Sequence, residues 1–484
     1  MPTPVTHLSD FPDRLSPMLV KELRQGLRAK TFIVLFLALQ IFLAVMLLSA
    51  GVGSNSDHVG SVISGIIFTF FAVAVLVVQP LRGTGALSSE VKGNTIDMMV
   101  LTRLSAWRIV YGKWVAIVGQ SALLFTTIIP YLILRYFFGG MNLFAEILCL
   151  VLIFLTSMAL TAVTVGLSGC SSVIVRGLLP VLGLPIALWM MMVMFLMRGM
   201  GGSSDFMGFF SLDSTESRIG VAAYVLSIAY IGGSLLSLGA SLIAPAAENH
   251  AIIRRLVTFG LLIGLLVLWM FDVVDKEVIG VLALVISPPA IIIALTESAQ
   301  LVQPVCKPFV KRGPIGKAVG WLLYPCWESG VLFAILTAIF SIAIIFGTAM
   351  RNSGYWNTEE AVVILAIAGG LFFPAVWQVF FFRGDGQRFA HYLLLLVGSY
   401  VMLGILASLA ASMNSSTFLW FFTWNPLAFI PLVADRHQDR DFILTLVSLV
   451  DVLLMVILLA RVFIEIRKSA TVIRETEASL KKSV

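Results

Sequence analysis

The side chains best spaced for chemistry stand in one polar stretch, Arg82 to Lys113 (RGTGALSSEVKGNTIDMMVLTRLSAWRIVYGK), within an otherwise apolar half of the chain. Glu90, Lys92, Asp97, Arg103, Arg108 and Lys113 are interleaved there with Ile96, Met99, Val100, Leu104 and Trp107. That spacing gives a helix one charged and one apolar face, so it predicts a short helix, a turn and a second helix that feeds the membrane. Ser105 is placed to cap the second helix by accepting from its first free amides, and that helix would run through Trp107 and Ile109 into an apolar span. The chemistry such residues support is recognition by charge. By composition alone they form a solvated helix face.

A second set of polar groups lies inside apolar runs. Asp451 falls near the middle of 442–463, where an aspartate costs about 2.5 to 3.5 kcal/mol to insert. It is therefore either a protonatable or cation-pairing group on a substrate path, or a packing contact to a polar side chain such as Gln40 or Gln120 on another helix. Glu146 sits near the outer end of 143–166, where Arg135 can pair with it across a short loop. No G-x-x-x-x-G-K-[ST] occurs, since Gly112-Lys113 and Gly316-Lys317 lack both the upstream glycine and the following hydroxyl residue; any ATP hydrolysis has to come from another chain. Gly83-Thr84-Gly85 is too short for a dinucleotide fingerprint. The five histidines (His7, His58, His250, His391, His437) are scattered, and Cys149, Cys170, Cys306 and Cys326 show no C-x-x-C spacing. Neither a metal centre nor a disulfide framework is expected, and no cofactor is expected in this chain.

The elements that must position these groups are membrane helices. With 59% hydrophobic and 12% charged residues and a mean hydropathy of +1.00, the 484-residue chain lies outside the range of soluble domains. Spans of about 20 apolar residues are predicted at 31–50, 61–80, 114–134, 143–166, 177–197, 219–243, 256–274, 278–295, 330–350, 361–382, 391–411 and 442–463. Ser287-Pro288-Pro289 is expected to interrupt the eighth, and 417–433, around Asn425-Pro426, is short enough to be re-entrant or interfacial. With the N-terminus inside, the outer loops hold seven of the 32 lysines and arginines, leaving 25 inside. That asymmetry places both termini, the 82–113 stretch and the basic 296–329 connection in the cytoplasm. It also explains the net charge of +6 with no nucleic-acid partner.

Two features flank the spans. Residues 16–30 begin with Ser-Pro and carry Leu19, Leu23 and Leu27 against Lys21, Arg24, Gln25 and Arg28, the pattern of a helix lying on anionic lipid, with packing on the protein as its alternative. Tryptophans 269, 356, 420 and 424 fall near the predicted outer boundary and 107, 321 and 327 near the inner one, while Trp189 and Trp377 lie deeper. The first span follows about thirty residues with prolines and charges, so it is expected to remain in the mature protein.

One family likeness rests on the polar stretch. Glu90, Thr95, Asp97, the apolar run Met98 to Leu101, Thr102, Leu104, Ser105, Trp107, Ile109, Val110, Gly112 and Lys113, together with Pro17 to Gln25, resemble the cytoplasmic signature of permease subunits of type-2 ABC exporters. Asn94 and Arg103 stand where that family often has glycine and proline. The resemblance implies an all-α polytopic membrane protein of about 12 spans in the inner cell membrane, with an N-terminal interfacial helix. It also implies a coupling hairpin whose Glu90, Thr95, Asp97, Arg103, Ser105 and Trp107 meet a separate cytoplasmic ABC ATPase that carries the ATP and Mg. The permease would not itself be an enzyme, and would work as a homodimer or with a second permease. Its parts would be the N-terminus (1–30), a six-span core (31–243) with the hairpin at 82–113, two further spans with a basic connection (244–329), and a four-span region with a basic tail (330–484). Two other classes stay open: a secondary transporter or channel coupled through Asp451, and a membrane scaffold whose basic loops recruit partners.

Overall fold

In a computed structural model of the chain, the described residues are 17–52, 59–93, 105–136, 142–181, 183–185, 210, 212–353, 357–382, 388–413, 416–435 and 438–482. Among them there is no strand, and eleven helices are long and apolar enough to cross a membrane. The chain is a multi-pass, all-α membrane protein. These eleven coincide with eleven of the predicted spans; the twelfth, 177–197, falls largely outside the described residues. The helices form two compact units, one of Met1–Gly169 and Arg176–Ile243, the other of Cys170–Val175 and Ala244–Val484. Residues 244–329 and 330–484, parted in the sequence reading, share the second unit.

The first unit holds α1 (Pro17–Leu27), α2 (Lys30–Val52), α3 (Val59–Ala72, continued by π turns over Val73–Val78 and a last α turn at Gln79–Gly83), the short α4 (Ser88–Lys92), α5 (Ala106–Tyr136), α6 (Leu143–Leu167) and α7 (Thr215–Ile243). The wider π turns precede Pro80, whose missing amide leaves the ordinary ladder one donor short, and the Gln79 amide reaches back to the Ala74 carbonyl. Helices α6 and α7 run parallel: the hydroxyls of Thr156 and Tyr224 meet at 2.6 Å midway along α6, and Gly166 meets Gly239 near the C-terminal ends of both. A Cβ on Gly239 would lie 2.7 Å from the Gly166 Cα, so only glycines permit this approach.

The second unit holds α8 (Ala251–Met270), α9 (Lys276–Thr296), α10 (Gln303–Val310), α11 (Gly313–Leu323), α12 (Trp327–Ser353), α13 (Thr358–Phe381), α14 (Arg388–Met413), α15 (Phe429–Val433) and α16 (Arg440–Lys482). Helix α9 passes through Pro288 and Pro289 unbroken, against the expected interruption. Its antiparallel partner α12 braces it along its length, with Ala294 against Gly330 and Gly280 against Thr348, and tertiary packing outweighs the lost amides. Helix α16 has 43 residues, about 64 Å at about 1.5 Å per residue, twice the hydrocarbon thickness of about 30 Å. Its last third therefore leaves the membrane. There Ile473 packs with Val305, Phe309 and Leu323 of α10 and α11, and Lys317 donates to Glu477 at 2.6 Å.

Between α14 and α16 the chain makes two 3-10 turns (Thr417–Phe422 and Pro426–Ala428) before α15. Its ends are tied at the same level, where the Ser416 hydroxyl bonds the Asp435 carboxylate and Gln438 donates to Ser416 at 3.3 Å. Its middle lies deeper: Pro426 meets Gly369, and Trp424 packs on Phe373 and Trp377 at 5.3 and 5.7 Å. Of the two alternatives for 417–433, the observed path is re-entrant. Trp424 accordingly leaves the outer aromatic belt where the sequence placed it.

Candidate functional site

The polar stretch after α3 is described at its two ends. Thr95, Asp97 and Arg103 lie outside the described residues. Ser105 directly precedes α5, and its carbonyl accepts from the amides of Arg108 and Ile109 at 3.0 and 3.3 Å, so the helix starts where the cap was expected. Trp107 is half-exposed and stacks on Tyr111, which in turn meets Trp114. The Trp114 indole N–H donates to the Met158 carbonyl at 2.9 Å and so ties the foot of α5 to α6.

Glu90 is held in a clasp. The Lys113 ammonium, 6% exposed, sits 2.8 Å from Glu90 Oε1 and 3.0 Å from Glu22 Oε1. One lysine thereby joins α1, α4 and α5. A turn further along, Arg82 donates to the side-chain oxygens of Gln79 and Gln120 and, at 3.4 Å, to the Gly26 carbonyl, and its guanidinium lies 5.9 Å from the Phe32 ring. Gln79 and Gln120 are buried. The apolar stripe of α1 is turned toward the protein: Leu23 packs against Gly119, and Leu27 joins the cluster around Phe32. Lys21, Arg24, Gln25 and Arg28 remain exposed. The predicted surface helix therefore has its apolar side on α5, the alternative that α1's spacing left open.

The intramembrane groups occupy different settings. Gln120 is bonded to Arg82. Gln40 lends its carbonyl to the Tyr131 hydroxyl at 3.3 Å, while its Nε2 is buried without a hydrogen bond. Glu146 is buried in the first turn of α6, which Asn142 caps by accepting from the Ala145 amide at 3.3 Å; the Arg135 side chain lies outside the described atoms. Asp451 is buried about halfway along the membrane part of α16, and its Oδ1 has no hydrogen-bond partner. It lies against Gly369 of α13, where a Cβ would come within 1.8 Å of that oxygen, and the same Cβ would meet Pro426 of the re-entrant segment at 2.9 Å.

The sequence reading did not single out the most elaborate ion cluster. At the start of α8, Arg254 and Arg255 both bond the carboxylate of Glu297, which follows α9. Arg255 also donates to the Leu322 carbonyl and the Ser329 hydroxyl, each at 2.6 Å, and lies 5.2 Å from the Phe333 ring. In a sequence, Arg-Arg beside a span reads as a cytoplasmic flank; the available signal was a lone glutamate at the matching end of the next span. Among the described residues no cluster of three or more histidine, cysteine or acidic side chains could hold a metal. Comparison of the chain with family models, curated proteins and solved structures finds no match.

Proposed function

We propose that this chain is the membrane-spanning permease subunit of an ATP-driven exporter, working with a separate cytoplasmic ATPase that holds ATP and Mg. The observation that carries the proposal is the Lys113 clasp at the foot of the stretch with the type-2 permease signature. A coupling hairpin needs polar groups to meet the ATPase and a stiff joint to the spans. Lys113, bonded to Glu22 and Glu90, supplies such a joint on both sides of the hairpin. Closure of two ATPase subunits would press on 86–111, and the clasp would pass that displacement to α5 and α1, biasing the spans between inward-open and outward-open states.

Mild detergent extraction tests this. The chain should bring with it a nucleotide-hydrolysing subunit in fixed stoichiometry, and Asp97→Lys with Arg103→Glu should release that subunit while the chain stays inserted. A chain that purifies alone and transports in proteoliposomes without nucleotide would sink the proposal. One observation favours a second reading, a secondary transporter: Asp451 presents an unbonded buried carboxylate oxygen beside non-helical backbone at mid-membrane, a position that in transporters serves ions or protons.

A further inference from the structure

The second unit encloses a cavity of about 470 Å³ where the ends of α9 and α13 meet the starts of α12 and α14. Its fifth wall is the part of α16 that leaves the spans, from Arg461 to Val472. The lining is divided. Trp327, Val379, Phe382 and Val472 form an apolar side, and among the described residues the charged or titratable groups facing the space are Arg388, Arg461, Lys468, Glu328, Glu465 and His391. Glu328 is buried and accepts from the Ser469 hydroxyl at 3.1 Å, and Glu465 pairs with Arg461 at 2.8 Å. Arg388 lies 5.6 Å from the Trp327 ring, with its carbonyl fixed by Gln378 at 2.6 Å. Among the described residues three cations thus face two carboxylates, both already engaged.

Depth decides what such a cavity takes. Along α16, Arg461 lies about 31 Å and Lys468 about 42 Å from Arg440, at about 1.5 Å per residue. A hydrocarbon layer of about 30 Å within a bilayer of about 40 to 45 Å puts them at the phosphate level of one leaflet. Phe380 and Phe381 stand exposed beside the cavity, apolar side chains facing the same boundary. We propose that the cavity binds the headgroup of an acidic phospholipid, its phosphate between Arg461 and Lys468 and its glycerol against Val379 and Phe382. Basic pockets between membrane helices on the cytoplasmic side take such headgroups. The inference uses the second unit alone and is independent of the transport mechanism.

The test is titration of delipidated full-length protein in neutral mixed micelles with phosphatidylglycerol, phosphatidylcholine or soluble glycerol phosphate, read by thermal midpoint and by lipid retention in native mass spectrometry. Phosphatidylglycerol should raise the midpoint and stay bound, and the other two should do neither. Lys468→Gln, at an exposed position, should weaken phosphatidylglycerol about fivefold, the effect of about one basic group at a membrane surface. Glu465→Gln should strengthen it, a change of opposite sign that misfolding cannot mimic. Equal retention of phosphatidylcholine, or unchanged affinity in both variants, overturns the proposal. Stabilisation by glycerol phosphate alone overturns its lipid part and leaves a soluble phosphate ligand.

Discussion

Replacing Lys113 by methionine keeps the length and apolar stem of the side chain and removes the charge that Glu22 and Glu90 share. Both carboxylate oxygens sit within 3.0 Å of the ammonium, so without it they face each other across roughly 6 Å, a repulsion of about 3 kcal/mol at an effective dielectric of about 20. The two glutamates are 19% and 13% exposed, and solvent screening brings the expected loss to about 2 kcal/mol. Because α1 and α4 are short, that loss should appear as local opening, not global unfolding. Amides in Pro17–Leu27 and Ser88–Lys92 should exchange about thirtyfold faster in hydrogen exchange, while those of α6 and α7 stay unchanged. Adding Glu22→Gln to the same variant removes one of the facing charges and should restore most of the protection. If the single variant exchanges at the wild-type rate, or if the double variant is as labile as the single, the clasp does not hold α1 to α5. The stiff joint required by the proposed coupling then disappears with it.

The remaining expectations follow from the other clusters. Arg255→Leu strips the partners of Leu322 and Ser329 and leaves Glu297 with one arginine. It should cost about 3 to 5 kcal/mol, as does breaking a buried pair, measured by denaturant titration in micelles. Gly369→Ala drives a methyl into Asp451 Oδ1 and should destabilise by about 1 to 3 kcal/mol, with Asp451→Ser recovering part of the loss. Asp451→Asn should leave the thermal midpoint level or higher; under ATP-driven export transport persists, whereas its loss together with pH-dependent wild-type transport points to the secondary transporter. For topology, thiols introduced at Ser214 and Asp272 should label from outside and one at Lys311 should not. Native background is low, because burial pushes the Cys306 thiol up to about 11 and that of Cys326 up to about 12, leaving little thiolate to react. External labelling at Lys311 would reverse the orientation.

What the sequence made legible is what a bilayer enforces locally. A run such as Leu143–Leu167 can satisfy its backbone in lipid only as a helix, so composition alone locates it. Pairings made over long separations were not legible. Glu90 reads as a free helix face because its partner Lys113 stands on a different helix, and Glu22 lies further away still. The apolar stripe of α1 suits lipid or protein equally, and the choice was made by Gly119, whose missing side chain leaves room for Leu23. Pro288 and Pro289 read as a break because the sequence carries the lost amides but not the brace from α12. The cavity could not be read at all, since five elements each contribute a few residues to it.

The re-entrant segment shows how a local penalty becomes a constraint on function. Non-helical backbone at mid-membrane survives only where protein, not lipid, surrounds it. Here Leu419, Leu427, Phe429 and Leu432 are fully buried, and Asn425 caps the turn by accepting from the Leu427 amide at 3.2 Å. Those contacts hold Pro426 against Gly369 and Asp451. A leucine at 451 would be cheaper to insert and would fill the space, so packing alone does not account for the carboxyl group. Nor does hydrogen bonding of Oδ1, which has none. The asparagine variant separates a titrating role for this carboxyl group from shape, because it keeps the size and removes the titration.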